Sequence, residues 1–187
     1  MEIIINNIRE AKKNLEILQN EKIIKEINSF SIQATKALKK NKKLIFCGNG
    51  GSAADSNHLV AELVGRFMKN RIALNAISLA SNTSTLTAIS NDYEYSKVFS
   101  RQIEAVGNSG DVLVCITTSG KSKNILRAID YAQKRKINII FLTSKKFKKK
   151  IKNAVIIKVP AERVDRIQEM HICIGHIFCE EIENFFC

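Results

Sequence analysis

For its length, the sequence contains few proline, glycine and aromatic residues. Its 187 residues include one proline, eight glycines and no tryptophan, and aromatic residues make up 6%. This composition argues against a disordered chain or a fibrous repeat. Since 45% of the residues are hydrophobic, the chain can bury one sizeable core and does not require a second one. We therefore expect a single domain over residues 1–187.

The cysteines and the apolar runs do not form the patterns of secreted or membrane proteins. The five cysteines are odd in number and contain no C-x-x-C pair, which indicates neither a disulfide framework nor a zinc ribbon. The N-terminal stretch MEIIINNIREAKKNLEIL has an acid at position 2 and an apolar run of three, unlike a secretory signal. No stretch approaches the length of a membrane span. We expect reduced cysteines and a cytoplasmic location.

The formal charge of +12 raises the alternative of a nucleic-acid partner. The densest positive segment is the lysine run Lys145–Lys152. Net charge by itself is evidence only about solubility and non-specific binding. Aromatic residues are also too sparse to lie between these lysines as stacking platforms for bases. We therefore interpret the lysines as a solvated, lysine-rich face and do not expect nucleic acid to be a partner.

The periodicity of apolar residues predicts an α/β fold. Residues 3–40 show helical spacing typical of two helices. Five short apolar runs then alternate with helix-length segments at 53–68, 83–105 (with a potential break near Asn91 and Asp92) and 121–136. The runs are 44–47, 76–79, 112–117, 137–143 and 154–159. This alternation is typical of a five-stranded parallel sheet with helices on both faces, in three layers.

The last segment, 162–186, predicts one long helix whose middle, from Met170 to Phe178, is apolar all round. We expect its outer side to lie against another subunit, and the same is expected of the N-terminal pair of helices. Accordingly, residues 1–40 are expected to form a helical oligomerisation segment, and residues 41–187 the α/β core.

Two turns have the chemistry of an anion site. The first, Cys47–Ser52, reads CGNGGS and closes the first strand; the second, Thr117–Ser122, reads TTSGKS and follows the third. Glycines let the backbone approach a ligand, and amides at the start of a helix favour negative charge. Each turn alone is also compatible with a plain strand-to-helix connection, with Ser52 as an N-cap. Together they favour a phosphate. Neither is a P-loop, and Ala53 replaces the third glycine of a dinucleotide fingerprint, so a phosphorylated small molecule is preferred to a nucleotide.

The helix after the first turn carries His58 and Glu62, which project from one face because they are four residues apart. This pair can chelate a cation, act as an acid and base, or be an ordinary exposed polar pair. The C-terminal helix adds Gln168, His171 and His176, of which each histidine is also compatible with a buried core position. Gln168 and His176 lie roughly 12 Å apart along a straight helix, which makes a shared ion doubtful on spacing alone.

Three segments together resemble the sugar isomerase (SIS) domain, and within it the bacterial phosphoheptose isomerases. They read CGNGGSAADSNHLVAELVGRF, then TSTLTAISNDYEYSKVFSRQIEAVGNSGDVLVCITTSGKSKNILRAI, and DRIQEMHICIGHIFCEEIE. The resemblance covers essentially the whole chain. It implies a flavodoxin-like or Rossmann-like fold and a homotetramer that interconverts sedoheptulose 7-phosphate and D-glycero-D-manno-heptose 7-phosphate for surface glycans such as lipopolysaccharide or capsule.

The resemblance also implies roles for particular residues. One divalent metal per subunit, commonly zinc, would be held by His58, Glu62, Gln168 and His176. Glu62 and His176 would transfer protons. The substrate-binding positions would be Asn49, Gly50, Gly51, Ser52, Glu62, Asn91, Asp92, Thr117, Thr118, Ser119, Ser122 and Gln168.

The chain departs from the family pattern at three places. Thr117 replaces a frequent serine, Asn82 a frequent aspartate, and LTSKKFKKKI a glycine-rich loop. Two other functions stay open at this point: an isomerase of another phosphosugar, and a non-catalytic SIS domain that senses sugar phosphates or acts as an adaptor for replication initiation.

Overall fold

The computed structural model describes all of residues 1–187. Its elements are α1 (Glu2–Ile17), α2 (Glu21–Lys39), β1 (Leu44–Gly48), α3 (Gly51–Val64), β2 (Ala76–Ser78), α4 (Thr83–Asp92), a 3₁₀ helix (Tyr95–Lys97), α5 (Val98–Val106), β3 (Val112–Ile116), α6 (Lys123–Lys134), β4 (Asn138–Ser144), β5 (Ala154–Val159) and α7 (Val164–Asn184). The two N-terminal helices, the five strands and the break after Asp92 agree with the sequence predictions.

The five strands form one parallel sheet in the order β2-β1-β3-β4-β5. The chain moves outward from β1 to β2 and then returns to the other side of β1 with β3, so the strand order reverses between β1 and β3. Ligands of open parallel sheets bind beyond the carboxyl ends of the strands at such a switch point. Gly48 pairs with Ile116 in this register, which places the two glycine-containing turns side by side.

Helices cover both faces of the sheet and divide the core into two clusters. On one face, α2, α3 and α7 pack in a cluster of 27 buried hydrophobic residues, and on the other α5 and α6 complete a cluster of 16. Strands β1 and β3 are buried along their full length. This three-layer αβα arrangement confirms the predicted fold class.

Most of the apolar circumference of α7 is buried within the chain itself. Met170, Ile174 and Phe178 are at most 1% exposed, and the Phe178 ring stacks on Phe30 of α2 with centroids 3.7 Å apart. The outward strip is different, since Ile177 remains 39% exposed. That strip borders a groove of about 630 Å³ between α7 and the N-terminal helices. Packing within the chain therefore explains the apolar residues in the middle of α7. Only the outward strip stays available for contact with another subunit.

All five thiols are free, as predicted; Cys47, Cys115 and Cys179 are buried, Cys173 is half-buried and Cys187 is exposed. None of the helices combines the length and the apolar character needed to cross a membrane.

Candidate active site

The two turns at the switch point are tied together by a pair of side-chain amides. Asn49 in the first turn donates through Nδ2 to Oδ1 of Asn124 at 3.0 Å, and Asn124 Nδ2 donates back to Asn49 Oδ1 at 2.8 Å. The Tyr95 hydroxyl donates to the same Asn49 oxygen at 2.8 Å. Because Asn124 lies in the first turn of α6, directly after the second turn, these bonds fix the two turns relative to each other.

The first turn presents open backbone at Gly50. This residue is the N-cap of α3 with φ of 56°, a conformation that L side chains rarely adopt, and a Cβ there would meet no atom within 4 Å. Ser52 is 3% exposed and is not the N-cap, so the alternative of a serine-capped connection is wrong. The turn therefore has free space beside a helix N-terminus, where backbone amides attract anions.

The second turn is held by its own hydroxyls. The Gly120 amide donates to Thr117 Oγ1 and the Lys121 amide to Ser119 Oγ, each at 3.2 Å. Ser122 is the N-cap of α6 but its side chain makes no capping hydrogen bond. The threonine at 117 thus serves the turn through its hydroxyl, and Ser122 keeps its hydroxyl available for a ligand.

The segment 142–151, LTSKKFKKKI, which departs from the family pattern, contacts the second turn. A Cβ on Gly120 would lie 2.5 Å from the Phe147 ring, so glycine is required for this contact. Ser144 Oγ donates to the Thr118 carbonyl at 2.7 Å. Lys145 pairs with Glu162 at 2.7 Å. The altered loop therefore retains an ordered contact with the turn.

His58 and Glu62 on α3 meet His176 on α7. His58 Nε2 lies 3.0 Å from Glu62 Oε1 and 3.4 Å from His176 Nε2, and the three ligand atoms are all within 4.8 Å of one another. Zinc–nitrogen bonds of about 2.0–2.1 Å in a tetrahedron put neighbouring ligand atoms roughly 3.3 Å apart. Two imidazoles and a carboxylate at these separations fit one zinc-sized divalent ion.

The close approach of α3 and α7 makes this meeting possible. A Cβ on Gly175 would lie 2.6 Å from Leu59 Cδ2, so any larger residue here would force Leu59 to move. His58 and His176 are the immediate neighbours of these two residues in sequence, and their rings stand edge to face with centroids 5.0 Å apart. The ring of Phe67 also stacks on His176, with centroids 5.7 Å apart.

Gln168 lies at the other end of the same helix pair. A Cβ on Gly51 would come within 2.3 Å of Gln168 Nε2, so the amide packs against the start of α3, two turns before His58. This position suits contact with a ligand in the first turn. A role as fourth metal ligand stays a prediction, because it requires the amide to reach along α3 toward His58.

Asn91, Asp92 and His171 are not part of this cluster. Asn91 and Asp92 are exposed at the end of α4, and Asn91 Nδ2 donates to Asp92 Oδ1 at 3.0 Å. His171 is fully buried, with Nε2 3.3 Å from the Thr143 carbonyl oxygen. Burial lowers the pKa of His171 to about 4, against the weaker effect of that bond. His171 is therefore the core histidine that its apolar surroundings predict.

Three site residues were not singled out from the sequence. Asn124 and Tyr95 hold Asn49, and their amide and phenol give no pattern that marks them in advance. Asp55 lies one turn before His58, and its Oδ2 is buried without a hydrogen-bond partner. Burial raises the pKa of Asp55 to about 6, opposed by charge on His58. Asp55 and His58 are three residues apart and therefore share one face of α3, and this spacing could have marked Asp55 as a site residue in the sequence.

The fold and the paired turns are those of a sugar isomerase domain. The pattern of the SIS domain matches residues 5–144, and the chain therefore belongs to the SIS-domain family.

Its relatives narrow the class to phosphoheptose isomerases. The chain is 51% identical to the phosphoheptose isomerase of a Nitratiruptor species over 162 residues, which cover 86% of each chain. The structure of the phosphoheptose isomerase from Neisseria gonorrhoeae superposes with a TM-score of 0.90 at 35% identity, covering 98% of both chains. That of the Francisella tularensis phosphoheptose isomerase gives 0.91 at 29% identity, covering 98% of this chain and 97% of the other. The protein is accordingly an isomerase of this type.

Proposed function

We propose that the protein interconverts sedoheptulose 7-phosphate and D-glycero-D-manno-heptose 7-phosphate through an enediol. The observation that carries this proposal is the cluster of His58, Glu62 and His176, two of which lie on the helix that follows the first turn. The relatives described above bear the name phosphoheptose isomerase and match over most of the chain. An aldose-ketose isomerase needs a phosphate site, a carbon base and a group that moves oxygen protons, and the residues of this site offer a candidate for each.

The phosphate of the substrate would lie between the two turns. Gly50 and Gly51 of the first turn give close backbone approach, and the hydroxyls of Ser119 and Ser122 give donors from the second. The remaining expected contacts are Asn49, Ser52, Asn91, Asp92, Thr117, Thr118 and Gln168. Asn91 and Asp92 are exposed near Tyr95, which itself bonds the first turn, so they would border the sugar from the outer side.

His58, Glu62 and His176 would hold one zinc ion per subunit, with Gln168 as the expected fourth ligand. When bound, this ion supplies Lewis acidity toward the sugar oxygens. The fit lies in the donor set and its spacing.

Glu62 is the proposed carbon base. Its carboxylate would take the proton from C1 of the ketose and return it to C2, while the O1 hydroxyl gives up its proton and O2 gains one. His176 is the proposed group for these oxygen protons, because its Nε2 faces the same space as Glu62. Phe67 stacks on its ring and limits its rotation. Since a carboxylate or an imidazole nitrogen bound tightly to a cation is a weaker base, Glu62 and His176 would each serve as metal ligand and as proton-transfer group in turn.

The assembly is proposed to be a homotetramer in the cytoplasm, with residues 1–40 as its oligomerisation segment. Large apolar side chains on α1 face solvent in the single chain: Ile3, Ile4 and Ile8 are 78%, 61% and 64% exposed. Surfaces of this kind mark association sites. The heptose product would feed a nucleotide-activated sugar for surface glycans such as lipopolysaccharide or capsule.

An isomerase assay tests the proposal against its alternatives. Purified protein is incubated separately with sedoheptulose 7-phosphate, a hexulose phosphate and a pentulose phosphate, and aldose formation is followed by NMR. Conversion of the heptulose at the highest kcat/KM supports the proposal. Faster conversion of a shorter sugar assigns a different substrate, and no conversion of any sugar favours the sensor or adaptor function.

A further inference from the structure

A buried ion pair connects the far ends of the two helices that supply the metal cluster. Arg71 lies in the segment after α3 and Glu183 in the last turn of α7. Arg71 Nε is 3.3 Å from Glu183 Oε1, and both side chains are 1% exposed. Ion pairs buried to this degree are uncommon, because each charge must be compensated by several partners.

On one side, the pair closes the carboxyl end of α3. Arg71 Nη2 donates to the Glu62 carbonyl at 2.7 Å, and Nη1 donates to the Leu63 carbonyl at 2.9 Å and the Gly65 carbonyl at 3.2 Å. The last carbonyls of a helix lack partners within it and attract cations. Arg71 therefore fixes the backbone of Glu62 itself, which is a predicted metal ligand.

On the other side, Glu183 fixes the segment that carries Phe67. Its carboxylate accepts three consecutive backbone amides: Phe67 at 3.1 Å, Met68 at 2.8 Å and Lys69 at 2.9 Å. Burial alone would raise the pKa of Glu183, but these three amides and Arg71 outweigh it and hold the pKa below its usual value. Phe67 in turn stacks on the ring of His176, two turns before Glu183 on the same helix.

We propose that Arg71 and Glu183 are positioning residues that hold His176 of α7 in register with His58 and Glu62 of α3. Two of the three clustered ligand atoms come from α3 and one from α7, so the separation of these helices sets the geometry of the metal site. Gly175 and Leu59 set their contact distance at the centre, and the ion pair prevents sliding at the end. The inference depends on the proposed metal centre.

A matched pair of variants separates positioning from general stability. Glu183→Gln keeps the shape of the side chain but replaces one carboxylate oxygen, which accepts hydrogen bonds from backbone N–H groups, by an NH2 group that cannot accept them. Asp111→Asn is the control: Asp111 is also 1% exposed, pairs with Lys43 at 2.7 Å and accepts two backbone amides. That pair lies at the amino-terminal ends of β1 and β3, whereas the turns lie at the carboxyl ends of these strands. Phe67→Leu removes the stack on His176 while keeping an apolar side chain against the core, and it serves if Glu183→Gln does not fold.

The readouts are cobalt(II) affinity, measured by competition with a chelator, and the visible absorption spectrum of the bound cobalt. We expect Glu183→Gln to weaken cobalt binding about 10- to 100-fold and to change the spectrum, in the range seen for groups that orient metal ligands. Phe67→Leu should weaken it less, and Asp111→Asn should leave both unchanged while lowering stability. Wild-type affinity and spectrum in Glu183→Gln or, if that variant does not fold, in Phe67→Leu would overturn the inference. Absence of cobalt binding in the wild type would instead overturn the metal centre.

Discussion

Replacing His171 by leucine should remove a specific acid sensitivity of the fold without touching the active site. The pKa of His171 falls from 6.5 in the unfolded chain to about 4 in the folded one, chiefly because its ring is buried. Between these values the unfolded state binds the extra proton, so stability is complete above about pH 6.5 and decreases as the pH falls toward 4.

The size of the effect follows from the two pKa values. A difference of about 2.5 units between 6.5 and about 4 corresponds to about 3 kcal/mol of unfolding free energy in total. Of this, about 2 kcal/mol is lost between neutral pH and pH 5. Asp55 acts in the opposite direction, since its folded pKa of about 6 lies above its usual value. It is present in both proteins, however, and cancels in their difference.

The assay is urea unfolding of wild type and His171→Leu at pH 7.5 and pH 5. A chelator is present throughout, because metal binding to His58 and His176 also depends on pH. The wild type should lose about 2 kcal/mol more than the variant over this interval. Parallel losses in the two proteins would show that His171 is not a neutral, buried group in the fold.

Three further predictions concern the site. Glu62→Gln should fold normally and bind the sugar phosphate but lose at least about 100-fold in turnover, measured by NMR, and near-normal turnover would remove Glu62 from the mechanism. Gly51→Ala should displace the Gln168 amide, since the new Cβ would lie 2.3 Å from Nε2, and lower kcat/KM about 10- to 100-fold; unchanged kinetics would show that Gln168 is not needed where it lies. Asn124→Leu should raise KM for the phosphorylated substrate by uncoupling the two turns, and an unchanged KM would contradict that coupling.

The sequence predicted those features that depend on local spacing. The alternation of apolar runs and helical segments was sufficient for the parallel sheet, because buried parallel strands are continuously apolar. The pairing of His58 with Glu62 follows from helical periodicity. The predicted positions of helix ends were less accurate. For example, α3 begins at Gly51 rather than at residue 53, because Gly50 is its N-cap and has a positive φ.

Features that depend on contacts between distant segments were not accessible from spacing. The approach of His176 to His58 requires Gly175 to pack on Leu59, and no local pattern shows that contact. The Arg71–Glu183 pair and the amides of Asn49 and Asn124 likewise join residues far apart in sequence. Family resemblance placed His176 among the expected ligands, whereas the ion pair was found only in the structure.

We propose that His58, Glu62 and His176 hold one metal ion on which isomerisation depends. The most direct measurement is a titration of zinc into chelator-treated, zinc-free protein while conversion of sedoheptulose 7-phosphate is followed by NMR. We expect little activity at the start, a linear rise to a plateau at one zinc per chain, and no such rise in His58→Ala. Full activity in the zinc-free wild type, or an identical titration in His58→Ala, would contradict it.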